Sequence, residues 1–399
     1  MSPDERLDER MPERTLRRLI DARRAAATVC ATFALAACAL PEAPSPSPPS
    51  GPPDGRALVR ALVPESAADR AGWAVDIHTA LVALDIAPTV DNVCAVVAVI
   101  AQESGFRADP AVPGLAKIAR REIEVRRERA GVPQVALDAA LALTSSDGRS
   151  FRARIDAVRT ERELSEVYED FIRRVPFGNT LLAHRNPVRT GGPMQVSVAF
   201  AEAQVEAHPY PYADHDTIRH EVFTRRGGVY FGVAHLLDYP AQYDRWIYRF
   251  ADYNAGHYAS RNAAFQAAVS ALSGEPLAAD GDLLVYDGDA PAAAPSRTEL
   301  AVRKLGTALR MSDTDIRRDL AQGEAAAFDG TVLYARVYAL ADRGAHGRAP
   351  RAKLPEIALK GPKITRELTT AWFAQQVERR FDACRAKASA TTQSSASRR

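Results

Sequence analysis

The stretch TVDNVCAVVAVIAQESGF, residues 89–106, decides the fold. Thr89 offers a hydroxyl to the first turn of a helix, and Gly105 stops that helix after Ser104. Between them Val93, Val96, Val97, Val99 and Ile100 leave almost no polar face, so the helix must be wrapped by other elements. Glu103 follows Ile100 by three positions and Val96 by seven, which puts it on their face of the helix. A carboxyl at the last turn of such a helix stands against apolar walls, and desolvation raises its pKa toward the range of a group protonated near neutral pH. A general acid for glycoside cleavage needs that property. The alternative is a glutamate that simply reaches solvent from a helix end.

Composition agrees with a helical core. The chain has 399 residues, 46% apolar and 26% charged, enough for one large domain or two modest ones. Alanine and other helix formers fill the periodic stretches, and alternation at strand spacing is rare, so the expected class is all-α or nearly so. Further helices are expected over 73–84, 115–130, near Ile155, and over 164–174, 300–309, 315–322 and 368–387. Lys and Arg (52) nearly balance Asp and Glu (50), and a net charge of +2 argues against nucleic acid as a partner.

The first 37 residues read as an export address. Arg17, Arg18, Arg23 and Arg24 precede a short apolar run, Ala25 to Ala37, that is too short to span a bilayer. The run ends in Leu35-Ala36-Ala37-Cys38, which resembles a lipobox and makes Cys38 the expected lipidation site. The resemblance implies an outer-membrane lipoprotein facing the periplasm, since Ala39 stands where an aspartate would signal inner-membrane retention. Seven prolines between Pro41 and Gly55 predict an extended stretch roughly 45 Å long at ~3.1 Å per residue, within a linker over 38–56. In an oxidising compartment Cys94 and Cys384 can pair, or remain as two buried thiols. Residues 387–399, rich in Ser, Thr and Ala, read as a disordered tail.

Three motifs in order give the chain a family resemblance. Ala101-Gln102-Glu103-Ser104-Gly105-Phe106, Gly192-Pro193-Met194-Gln195-Val196 and Asp252-Tyr253-Asn254-Ala255-Gly256 resemble the signature segments of the lysozyme-like soluble lytic transglycosylases. Gly227 to Val233 precedes the third motif like that family's helix. Gly361-Pro362-Lys363-Ile364-Thr365-Arg366 and Leu368 to Phe373 resemble a little-characterised family of Gram-negative lipoproteins with a transglycosylase-like core.

The resemblance implies a domain over 57–279 and a peptidoglycan strand as substrate, with no cofactor or metal. It implies that Glu103 acts first as acid and then as base, giving a 1,6-anhydro product. Tyr253 would hold the Glu103 carboxyl, while Gln195 and the Met194 backbone would shape the sugar cleft. Asn254 and Ser104 either fix local structure or touch the glycan.

Departures from the pattern are Pro193 in place of leucine, Asp252 in place of alanine, and an insertion over 107–190. Asp252 adds a carboxyl that would activate water or sit solvated on a helix surface. Arg185, Asn186 and Arg189 either meet an acidic stem peptide or balance surface charge. Residues 280–386 are expected to form a C-terminal helical subdomain.

Thirteen of the 28 aromatic residues lie between Phe200 and Tyr258, as a glycan cleft or a packed core would require. His220-Glu221 is followed by Thr224 where a zinc-protease helix needs histidine, and no nucleotide-binding or nucleophile-elbow motif occurs. Two alternatives therefore accompany the lytic transglycosylase expectation: a non-catalytic wall-binding scaffold, and a hydrolytic muramidase.

Overall fold

Eight consecutive residues, Val93 to Ile100, are buried in the middle of one helix, and the first core is arranged around it. The structure, a computed structural model, describes residues 54–175, 180, 185–288, 290–344, 347–359 and 367–396. The expected signal peptide, Cys38, the linker up to residue 53 and the 361–366 stretch lie outside the described residues. Helices α1 (Gly55–Leu62) and α2 (Arg70–Ala83) come first, and the buried helix is α3 (Val90–Glu103). Thr89 caps α3 as its sequence predicts, its hydroxyl accepting from the Asn92 N–H at 3.2 Å.

The insertion contributes α4 (Leu115–Arg129), α5 (Gln134–Ala142), α6 (Phe151–Ala157) and α7 (Glu161–Arg174). It has a small core of its own, built on Leu115, Ala119, Phe151, Ile155, Val158 and Val167. Strands β1 (Thr190–Gly191) and β2 (Val196–Ser197) then form an antiparallel hairpin that leads into α8 (Val198–Ala207). Helices α9 (Ile218–Val222), α10 (Arg225–Leu237), α11 (Trp246–Ala255) and α12 (Ala259–Ser273) follow. The fold is mostly helical, with strands only two residues long among the described residues.

After the short hairpin β3 (Tyr286–Asp287) and β4 (Ala290–Pro291) come α13 (Arg297–Lys304), α14 (Gly306–Leu309), α15 (Asp313–Leu320) and α16 (Val332–Gly344). These helices pack with Phe265 and Val269 of α12 around Phe328, so the second core begins before residue 280. The last hairpin, β5 (Ala358–Leu359) with β6 (Leu368–Thr369), delivers α17 (Thr370–Ala396) back to the first core. Packing thus divides the expected subdomain, with α13 to α16 in one cluster and Phe373, Ala374, Val377 and Phe381 of α17 in the other.

The tail expected to be disordered from residue 387 is instead helical to Ala396. Ala388, only 8% exposed, still packs on the first core, which extends the helix beyond the reach suggested by composition.

Cys384 of α17 is bonded to Cys94 of α3 across 290 residues, with Cα atoms 5.5 Å apart. Of the two states left open by the sequence, the structure contains the disulfide. Closing so long a loop removes much of the unfolded chain's freedom. Replacing both cysteines by alanine is expected to cost roughly 2–5 kcal/mol of unfolding free energy in guanidinium titration. Equal stability of parent and double variant would show that α17 is held by packing alone.

Candidate active site

The end of α3 is built from a single carbonyl. The Ile100 oxygen accepts from the Ser104 N–H (3.0 Å), the Gly105 N–H (3.1 Å) and the Ser104 hydroxyl (3.1 Å). Ser104 is only 1% exposed, so its hydroxyl serves the turn and not a ligand. Gly105 and Phe106 then both take left-handed backbone, at φ 58° and 61°. For Phe106 this conformation is unfavourable. It is held there because the ring is buried edge-on against Trp73, with centroids 5.2 Å apart. This turn leaves Glu103 half-buried as the last helical residue.

The second motif is the tip of the β1–β2 hairpin. The Gln195 N–H bonds the Gly192 carbonyl at 3.2 Å, and Gln195 itself is left-handed at φ 53°. The tip lies directly on α10, and glycine is required there. A Cβ on Gly228 would stand 2.4 Å from Pro193 Cδ, and one on Gly232 would stand 2.3 Å from Met194 Sδ. Spaced by four, the two glycines form a stripe on one helix face into which Pro193 and Met194 settle. Pro193 is thus accommodated by Gly228.

The third motif closes the site. The Tyr253 hydroxyl donates to the Met194 carbonyl at 2.6 Å, tying α11 to the hairpin tip. A phenol has one proton to give, and here it goes to the Met194 carbonyl. Burial first, and then the nearby Glu103 charge, hold the Tyr253 hydroxyl well above its ordinary pKa. Glu103, Tyr253, Met194 and Gln195 therefore form one neighbourhood, assembled from three distant segments.

Gln195 brings in a residue that the motif reading passes over. Its Nε2 donates to Glu161 Oε2 at 3.0 Å and to the Gly192 carbonyl at 3.2 Å. Glu161 opens α7 and is 5% exposed. The legible signal is Thr160-Glu161-Arg162-Glu163, a capping box that starts the helix three residues before Leu164.

The family described as Protein of unknown function (DUF1615) matches residues 66–387. The chain belongs to the DUF1615 family. It is similar to the Uncharacterized protein YaiW of Escherichia coli (strain K12), 53% identical over 327 residues that make up 82% of this chain and 88% of the relative. No solved structure matches it.

Asp252, Asn254 and Asn186 of this DUF1615 chain are engaged in bonds within the fold. Asp252 is 0% exposed, and its carboxylate accepts from the Tyr239 hydroxyl (3.1 Å), the Tyr243 hydroxyl (2.6 Å), the Tyr258 N–H (3.0 Å) and the Ser260 N–H (2.7 Å). It is a buried cap for α12, neither a solvated surface group nor one that water can reach. Asn254 Oδ1 accepts from the Thr370 hydroxyl at 2.9 Å and so fastens the start of α17. Asn186 is buried between Ser165 of α7 and the Val188 N–H, while Arg185 and Arg189 are exposed. A cavity of about 1190 Å³, lined by Ala264, Ala268, Leu272, Ala341, Leu354 and Ile357 among others, includes none of these residues.

Behind Tyr253 lies a stack of His235, His257 and Tyr239, with centroids 4.6 and 4.1 Å apart. His235 Nε2 bonds the Tyr253 carbonyl at 3.2 Å. Burial, and then the neighbouring His257, bring His235 down from an ordinary 6.5 to about 4, so it is neutral at physiological pH.

Two outcomes follow from this geometry. Gly232→Ala is expected to cost roughly 1–3 kcal/mol in denaturant unfolding, because the new methyl displaces Met194. A cost near zero would mean that the hairpin tip does not sit on α10. The unfolded chain, for its part, protonates His235 below about 6.5, whereas the folded chain resists protonation down to about 4. Stability should therefore fall by as much as ~3 kcal/mol as pH drops through that window, and His235→Gln should flatten the dependence. An unchanged slope in the variant would place the acid sensitivity elsewhere.

Proposed function

We propose that the chain is a peptidoglycan lytic transglycosylase that breaks the bond between N-acetylmuramic acid and N-acetylglucosamine, with Glu103 as its single acid and base. The observation that carries this reading is the convergence of three motif segments. Glu103 ends a buried helix beside Tyr253, and Tyr253 is bonded across 59 residues to the hairpin tip that holds Gln195. Catalysis by one carboxyl requires that it be fixed relative to the sugar on a rigid frame. Here the frame consists of α3, α11 and a hairpin tip set into a glycine stripe.

In the reaction, Glu103 gives its proton to the glycosidic oxygen as the bond to the anomeric carbon breaks. The carboxylate then takes the proton of the muramic 6-hydroxyl as that oxygen closes on the anomeric carbon. Atoms balance without water, and a 1,6-anhydro sugar and a free 4-hydroxyl result. Tyr253 serves by holding the Met194 carbonyl and so fixing the hairpin tip that carries Gln195. The muramidase alternative that used Asp252 is not favoured, because its carboxylate already takes four donors.

The setting proposed for this activity is the periplasmic face of the outer membrane, with Cys38 as the lipid-bearing residue. The disulfide is consistent with an oxidising compartment.

Incubation with purified sacculi, followed by mass spectrometry, is expected to release fragments ending in anhydro-muramic acid. Glu103→Gln should lower that rate by roughly 10²–10⁴-fold while leaving thermal unfolding unchanged. Reducing-end muramic acid as the product, or full activity in the variant, would overturn the reading; binding to sacculi with no turnover would leave a scaffold.

A further inference from the structure

The insertion meets the site through the start of α7. The Val112 N–H bonds the Arg159 carbonyl at 2.8 Å, and Ala111 bridges Thr160, so the strand leaving Glu103 runs directly beside the start of α7. The next residue along is Glu161, whose carboxylate meets the Gln195 amide. The carboxylate is itself well placed. It occupies the first turn of α7, where the helix dipole favours negative charge, and the Thr160–Glu163 capping box fixes the backbone beneath it.

The consequence lies in the amide. Gln195 Nε2 carries two hydrogens, and both are used, one toward Glu161 and one toward the Gly192 carbonyl. A charged acceptor on one side makes this orientation far better than the flipped one, which would set an oxygen against a carboxylate. The remaining polar atom of the side chain, Oε1, can only accept.

We infer that Glu161 is a positioning residue that locks the Gln195 amide with its oxygen available to the glycan, so that the site selects a sugar offering an N–H or O–H donor at that point. The inference rests on the glycan-cleaving reading and extends it to an element outside the three motifs. The insertion is then part of the substrate site, and the acetamido N–H groups of peptidoglycan are the donors that fit.

The test is a double-mutant cycle on purified glycan strands. Glu161→Gln permits both amide orientations, while Gln195→Met removes the amide at similar length. Each single variant is expected to raise KM about tenfold, with kcat changed much less, and the double variant should be no worse than either single one. The side-chain amide resonances of Gln195 should shift in Glu161→Gln, although Tm stays close to that of the parent. The Gln195→Met arm carries the test should the Glu161 variant fold poorly.

An unmoved KM, additive losses, or unmoved Gln195 resonances would each overturn the inference. Calorimetry of a chitin tetrasaccharide with the Glu103→Gln protein separates the two readings. If the wild-type protein is inert on sacculi but the tetrasaccharide binds, and binding weakens with Glu161→Gln, the inference stands and the transglycosylase reading falls. If Glu103→Gln abolishes turnover while Glu161→Gln changes neither KM nor binding, the inference falls alone.

Discussion

A helix with no free face imposes its needs on everything around it. From Val93 to Ile100 each side chain of α3 must be covered, so α1, α2, α10 and α17 gather around it although their sequence positions span more than three hundred residues. Burial on this scale is the dominant favourable term in folding, and it is also what makes the end of α3 a fixed point. Glu103 inherits that rigidity. The turn beyond it is tight enough to hold Phe106 in a conformation aromatic residues seldom adopt, which only surrounding packing can enforce.

Part of this is legible in the sequence, for local reasons. The Thr89 cap, the apolar run and the Gly105 stop are short-range signals, and the structure places α3 within the expected limits. The three motifs likewise announce that Glu103, Gln195 and Tyr253 belong together. The fate of individual polar groups is not legible, because it depends on partners far along the chain. Asp252 reads as a surface or catalytic carboxyl until Tyr239, Tyr243 and the start of α12 are seen to enclose it. The bond from Tyr253 to the Met194 carbonyl, across 59 residues, is likewise announced by neither motif alone. Glu161 escapes notice because its function depends on a bond to a residue 34 positions away, although the capping box that sets it in place can be read directly.

The glycines of α10 show how a weak helix former can be the correct residue. Gly228 and Gly232 each disfavour the helix by about 1 kcal/mol relative to alanine. In return, Pro193 and Met194 approach the helix backbone closely enough for the Tyr253 bond to form. Three segments that share no local signal thereby meet at a spacing no other residue would permit. Two of the six left-handed non-glycine residues among the described residues of this DUF1615 chain, Phe106 and Gln195, stand on either side of this junction.

The route of α17 has a bearing on biogenesis. The helix that seals the flank of α3 comes late in the chain, and its disulfide partner lies 290 residues upstream. A chain emerging from its amino end has α3 with one side open until α17 has been made, and contacts of such long sequence separation are slow to form. Nascent or truncated copies would thus present the Val93–Ile100 surface to quality-control proteases. Docking of α17 closes the last open side of the helix that carries Glu103.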